Sequence, residues 1–261
     1  MRPKRTVEVA GAVVEFLVVG AGDPVVLLPG GGFDGSYFGE LAQGLAGAGF
    51  CAVAVNPRGA GGSAGSLDGL TLHTLAADVA AVIEALEGGP VHVLSHGFSN
   101  RVTRCLVADR PDLVRSVILL AGVGLVEPDA EVVRALRAWF RHDSTESECL
   151  EAMRCLVADP STAERLLRSV TRWPVVAAAQ AAADRATPRD EWQDAAIRAP
   201  VLVVQGLADR VAPPEHGRTF REQFGDRIRV VELPRAGHMV FLEQPEAVAE
   251  AVVTFLREQA A

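Results

Sequence analysis

No apolar stretch in this 261-residue chain approaches the ~20 residues that a membrane-spanning helix needs. The basic start, Met1-Arg2-Pro3-Lys4-Arg5, runs into alternating polar residues. A secretory leader would continue into an unbroken apolar segment with a small-residue cleavage site, so none is expected. Cysteine is scarce. Cys51, Cys105, Cys149 and Cys155 show no Cys-x-x-Cys spacing, which points to reduced, mostly buried thiols. Positive charge is in deficit, with 25 Lys and Arg against 33 Asp and Glu and a net charge of −8. A nucleic-acid-binding surface needs clustered Lys and Arg, and that balance argues against one. His73, His92, His142 and His216 carry no metal spacing such as His-Glu-x-x-His. These absences leave a cytoplasmic protein with no membrane, nucleic-acid, metal or cofactor partner expected. Self-association as a homo-oligomer stays open.

The chain does hold enough residues for one large α/β domain with an insertion, and 49% of them are hydrophobic. Thr6–Ala10 and Ala12–Val19 alternate about Gly11 and read as an antiparallel hairpin. Short apolar runs at Val25–Leu28, Cys51–Val55, Val91–Leu94 and Val117–Ala121 read as buried strands. Between them lie helical patterns at Tyr37–Gly49, Leu72–Leu86 and Ser99–Arg110, the last stopped by Pro111. Such alternation predicts a mostly parallel, doubly wound sheet with helices on both faces. From about 126 to 197 the pattern breaks. Helical segments Glu131–Phe140, Glu146–Leu156 and Thr162–Val170 appear with no convincing strand, as in a helical cap inserted at 123–197. Strands at Val201–Gln205 and Ile228–Leu233 and a helix over Glu246–Arg257 then complete a core of 1–122 and 198–261.

Val91-His92-Val93-Leu94-Ser95-His96-Gly97-Phe98-Ser99-Asn100 reads as a strand, a sharp turn and a helix start. Its layout is that of a nucleophile elbow, Gly-x-Ser-x-Gly, with Ser95, Gly97 and Ser99 at the marked positions. Gly206-Leu207-Ala208-Asp209 follows one later strand and Arg235-Ala236-Gly237-His238 the next. Asn56-Pro57-Arg58-Gly59-Ala60-Gly61-Gly62-Ser63 is similar to a D-x-R-G-x-G-x-S loop, with Asn for Asp. In this order the features resemble the α/β-hydrolase fold over almost the whole chain. The resemblance implies an acid at Asp209, a histidine at His238 and a nucleophile position at Gly97, which has no side chain to attack with. It also implies an oxyanion hole of backbone N–H groups, from Phe98 and from Gly31, with Gly32 as the alternative.

Gly97 admits four explanations. It is an engineered Ser→Gly change in a serine esterase, although Ser95 and Ser99 also replace the flanking glycines, which looks like drift of the whole elbow. The nucleophile is displaced to Ser95 or Ser99, although Ser99 reads better as a helix cap. The site works without a covalent serine, His238 acting as base with Asp209 behind it; hydrolysis by activated water, C–C cleavage, elimination and cyclisation then come into reach. Or the pocket only binds. The third is preferred, with a small, largely apolar carbonyl compound as substrate. His96 would pack and orient, or reach into the vacated space. Trp139, Phe140 and Trp173 would line the pocket or pack helices; Arg137, Arg141 and His142 would meet an acidic group or face solvent. Gly30-Gly31-Gly32-Phe33-Asp34-Gly35 also matches a dinucleotide fingerprint, but Asn56 stands where an acidic ribose partner is needed.

Overall fold

A computed structural model describes residues 4–122, 128–141 and 143–259. The chain opens with a hairpin of β1 (Lys4–Val9) and β2 (Ala12–Val19) turned at Gly11. Next come β3 (Asp23–Leu28), α1 (Gly39–Gly47), β4 (Phe50–Val55), the two-residue β5 (Ala64–Gly65) and α2 (Leu72–Glu84). β6 (Val91–His96), α3 (Ser99–Asp109) and β7 (Val114–Leu120) follow. Then α4 (Ala130–Phe140), α5 (Glu146–Leu156), α6 (Ala163–Ser169) and α7 (Pro174–Ala186) succeed one another with no strand of the sheet between them among the described residues. β8 (Val201–Gly206), α8 (Glu215–Phe224), β9 (Ile228–Leu233), α9 (Val240–Glu243) and α10 (Pro245–Gln259) complete the chain. The expected start of the insertion, at 123, falls in 123–127, outside the described residues. No described helix is long and apolar enough to cross a membrane.

The strands line up as β1-β2-β4-β3-β6-β7-β8-β9, with β5 on β2. Every pair from β4 to β9 is parallel, and β2 pairs antiparallel with β1, β4 and β5. The period of two along a strand divides the core. Val25, Leu27, Leu94, Ile118, Leu120, Leu202 and Val204 face α1 and α10, through Leu41, Leu45, Val248, Val252 and Phe255. Val26, Leu28, Val93, Val117, Leu119, Val201 and Val203 face α2, α3 and α8, through Leu72, Val79, Leu106 and Phe220. Near-continuous apolar strands are what a sheet covered on both faces requires.

A buried ion pair ties the loop after β4 to α2. Arg58 Nε and Nη2 donate to Asp78 Oδ2 and Oδ1 at 3.0 and 2.7 Å. Both residues are buried, so removing one partner leaves an uncompensated charge. Arg58→Met is expected to lower the unfolding free energy by about 3–5 kcal/mol. Urea unfolding checks this; a loss below about 1 kcal/mol would mean that Asp78 finds other solvation.

Candidate active site

Three turns at the carboxyl ends of parallel strands meet at one point. The turn from β6 into α3 holds Gly97 at φ +52°, a left-handed conformation that costs a side-chain-bearing residue strain. A Cβ built on Gly97 would lie 3.2 Å from His238 Nε2. His238 follows β9, and its Nδ1 is 3.0 Å from Oδ2 of Asp209, which follows β8. Asp209 Oδ1 also accepts from the N–H groups of Val211 and Ala212 at 2.8 and 2.9 Å. Its Oδ2 accepts from Gln205 Nε2 at 3.1 Å. An imidazole nitrogen beside an ionised carboxylate carries its proton there, so Nδ1–H donates to Asp209. Nε2 then turns its lone pair toward the space over Gly97.

Backbone donors face the same space. The N–H groups of Gly31 and Phe98 meet no acceptor among the described residues, and both residues line the cavity that contains Gly97 and His238. Phe98 stands at the N-terminus of α3, where partial positive charge favours an anion. The neighbouring serines are engaged elsewhere. Ser95 is fully buried in β6 and donates to Asn100 Oδ1 at 2.8 Å. Ser99 does not cap α3: Phe98 holds the cap position without a side-chain bond, and the Ser99 hydroxyl donates to the Pro29 carbonyl.

His96 is locked on both ring nitrogens. Its Nε2 lies 2.9 Å from the His238 carbonyl and must donate to it; its Nδ1 lies 2.9 Å from the Tyr37 hydroxyl and accepts from it. The Tyr37 oxygen in turn accepts from Gly30 N–H at 2.6 Å. Burial, and then the nearby His238, push the His96 pKa from 6.5 down to about 3. Its neutral ring therefore orients the histidine loop. As pH falls below 6.5 the unfolded chain binds a proton that native His96 refuses, so stability falls progressively until about pH 3. This contribution is on the order of 5 kcal/mol across that window. Unfolding titrations at pH 7 and pH 4 should show a shallower acid loss in His96→Gln than in the natural chain; identical losses would contradict it.

The cavity holds about 260 Å³. Phe33, Trp139 and Phe140 form an aromatic wall, with Trp139 buried against Phe33 at 5.5 Å between ring centroids. Trp173 and Gly32 are not among the lining residues. Trp173 Nε1 donates to Asp34 Oδ2 at 2.8 Å and its N–H to the Gly32 carbonyl at 2.7 Å, so it anchors α7 to the glycine-rich loop. Gly32 N–H is taken by Gln180 Oε1 at 2.9 Å, and a Cβ there would meet Ala177 Cβ at 2.8 Å. That leaves Gly31 as the second free donor. Arg141 is exposed and pairs with Asp143 and Glu148; neither it nor Arg137 lines the cavity, and His142 lies outside the described residues.

The inserted helices are fastened to the loops that carry Asp209 and His238. His238 N–H donates to the Leu156 carbonyl at 2.8 Å. The Glu243 carboxylate accepts from Gly237 N–H at 2.9 Å and from Ala158 N–H at 2.7 Å. Arg210, next to the acid, pairs with Asp129 and Glu131 at the start of α4. Sequence reasoning missed α7 and its Gln180. The available signals were Pro174 at a helix start and the helical spacing of Ala177, Gln180, Ala181 and Asp184.

Comparisons with known proteins agree with this geometry at the level of the fold. The model of the alpha/beta hydrolase family matches residues 25–251. A Mycobacterium tuberculosis protein named as a non-heme bromoperoxidase, BpoC, is 28% identical over 90% of this chain and 94% of its own. Rhodomycin D methylesterase DauP of Streptomyces sp. strain C5 is 28% identical over 91% of this chain and 93% of its own. A thermophilic esterase from Thermogutta terrifontis superposes with a TM-score of 0.79 at 23% identity, covering 100% of both chains. A match over most of its length, together with the sheet order, makes this chain a member of the alpha/beta hydrolase family.

Proposed function

We propose that the chain is an enzyme that acts on a small, largely apolar carbonyl compound through His238 and Asp209, without a serine nucleophile. The observation that carries this reading is the space over Gly97, where a built Cβ stands 3.2 Å from His238 Nε2. Gly97 occupies the nucleophile's place on the elbow, and the base that would serve a serine serves a water or a substrate C–H or O–H instead. Gly31 and Phe98 N–H hold the carbonyl oxygen as it gains negative charge, each contributing on the order of 3 kcal/mol. Hydrolysis by an activated water, C–C cleavage, elimination and cyclisation all need this proton transfer and this anion site. Aromatic residues at the wall suit an apolar substrate body. The esterase and hydrolase names among its relatives support carbonyl chemistry as the class.

The test is turnover of a panel of methyl esters, β-diketones and β-hydroxy carbonyl compounds by the natural chain and by His238→Ala. Turnover that falls at least ~10²-fold in the variant supports the reading. Equal turnover in both chains would overturn the role of His238, and no turnover in either would leave a pocket that only binds such compounds.

A further inference from the structure

The cavity runs well past the candidate active site. Asn100, Arg101 and Arg104 of α3 and Gln180, Ala181 and Asp184 of α7 line it together with Gly97 and His238. Steps of three and four residues put each set on one helix face, so the cavity follows the gap between these helices. Arg104 stands about 9 Å along the α3 axis from Phe98, at ~1.5 Å per residue. Arg101 is neutralised at this wall by Asp184, at 3.3 Å.

Arg104 is not neutralised in that way. It is 1% exposed, and its Nε and Nη2 have no hydrogen-bond partner among the described residues. Its Cζ lies 5.1 Å from the Phe220 ring centroid and 5.9 Å from that of Trp192. Contacts of a cation with ring faces recover only a small part of the cost of burying a charge that no carboxylate touches. Burial, then repulsion from Arg101, bring its pKa down to about 10 against the pull of Asp194, which leaves it charged at neutral pH. The orphaned atoms are also the matched pair on one edge of the guanidinium. Three other arginines of this protein use that Nε/Nη2 edge on a carboxylate. Arg58 holds Asp78 at 3.0 and 2.7 Å, Arg110 holds Asp112 at 3.0 and 2.8 Å, and Arg218 holds Glu232 at 2.6 and 3.0 Å.

We propose that the far end of the cavity is a carboxylate subsite, in which Arg104 takes a carboxylate of the substrate side-on through Nε and Nη2 while the reacting carbonyl lies at Gly31, Phe98 and His238. The placing of the carbonyl rests on the function proposed above; the subsite itself does not. A planar guanidinium fork matches a carboxylate in two parallel charge-assisted bonds. Both orphaned atoms are covered from solvent, and holding a carboxylate in this way requires the guanidinium to turn toward the cavity and away from Trp192. The substrate is then a carbonyl compound with an apolar middle and an acid group at its other end.

Calorimetric titration of this chain with hexanoate and with hexanamide at pH 7 tests the subsite without requiring turnover. Hexanoate is expected to bind at least tenfold more tightly than hexanamide. In Arg104→Met this preference should vanish. Equal affinity for the two probes in the natural chain overturns the proposal. So does a preference that survives in Arg104→Met, because the carboxylate is then held by the oxyanion donors. If Arg104→Met does not fold, tryptophan fluorescence decides. Trp139 lines the same cavity, so the comparison is made in a Trp139→Phe background. Hexanoate should change the emission of Trp139→Phe and not that of the Trp139→Phe/Trp192→Phe double variant; no change in the first, or the same change in both, overturns it. Failure here leaves the His238 turnover result untouched, and failure there leaves this one untouched.

Discussion

Gly97→Ser is expected to turn this protein into an ester hydrolase, raising turnover of p-nitrophenyl acetate by at least ~10³-fold over the natural chain. The parts a serine needs already surround residue 97. Its Cβ would stand 3.2 Å from His238 Nε2, close enough that the ring shifts by a few tenths of an ångström and the hydroxyl finds its base. Gly31 and Phe98 N–H stand open for the oxyanion. The backbone already holds φ +52°, the strained form of a nucleophile turn, which costs serine roughly 1–3 kcal/mol of stability. A folded variant with no gain in rate would show that the dyad or the anion site is out of place.

Asp209→Asn is expected to cut turnover that depends on His238 by ~10³–10⁴-fold with the fold retained. The Val211 and Ala212 N–H groups fix an acceptor oxygen on their side of residue 209. Asparagine must keep its carbonyl oxygen there and turn its amide N–H toward His238 Nδ1. Nδ1 then accepts, the proton moves to Nε2, and no lone pair faces Gly97. Steady-state rates with circular dichroism on both proteins check this. A loss under tenfold would mean that Asp209 only braces its turn.

Much of this site is legible in the order of residues along the chain. Short apolar runs ending in turns mark the buried strands, and the run Ile228–Leu233 coincides with β9. Glu146–Leu156 coincides with α5, because Thr145 and Glu148 form a capping box that fixes its start. Asp209 and His238 come together because their turns follow adjacent parallel strands, β8 and β9. The misses share a cause, which is long-range contact. α7 buries a stripe of mostly small residues, Val176, Ala177 and Ala183, that reads weakly, and Gln180 sits among them with its Oε1 taken by Gly32 N–H, 148 residues earlier. Trp173 looks like a pocket residue until Asp34 claims its indole N–H. Ser99 looks like a cap until the Pro29 carbonyl, 70 residues away, takes its hydroxyl. Arg104 sits in α3 like any solvated arginine; its burial comes from Trp192 and Phe220, which the chain supplies much later.

The central claim is that a working base and anion site face an elbow with no serine to activate. Mass-spectrometric labelling with a serine-directed phosphonate, on the natural chain and on Gly97→Ser, tests it most directly. The account predicts no adduct on the natural chain and one on the variant, at residue 97. An adduct on the natural chain at Ser95 or Ser99 would contradict it, since an ordinary serine mechanism would then operate from a displaced nucleophile.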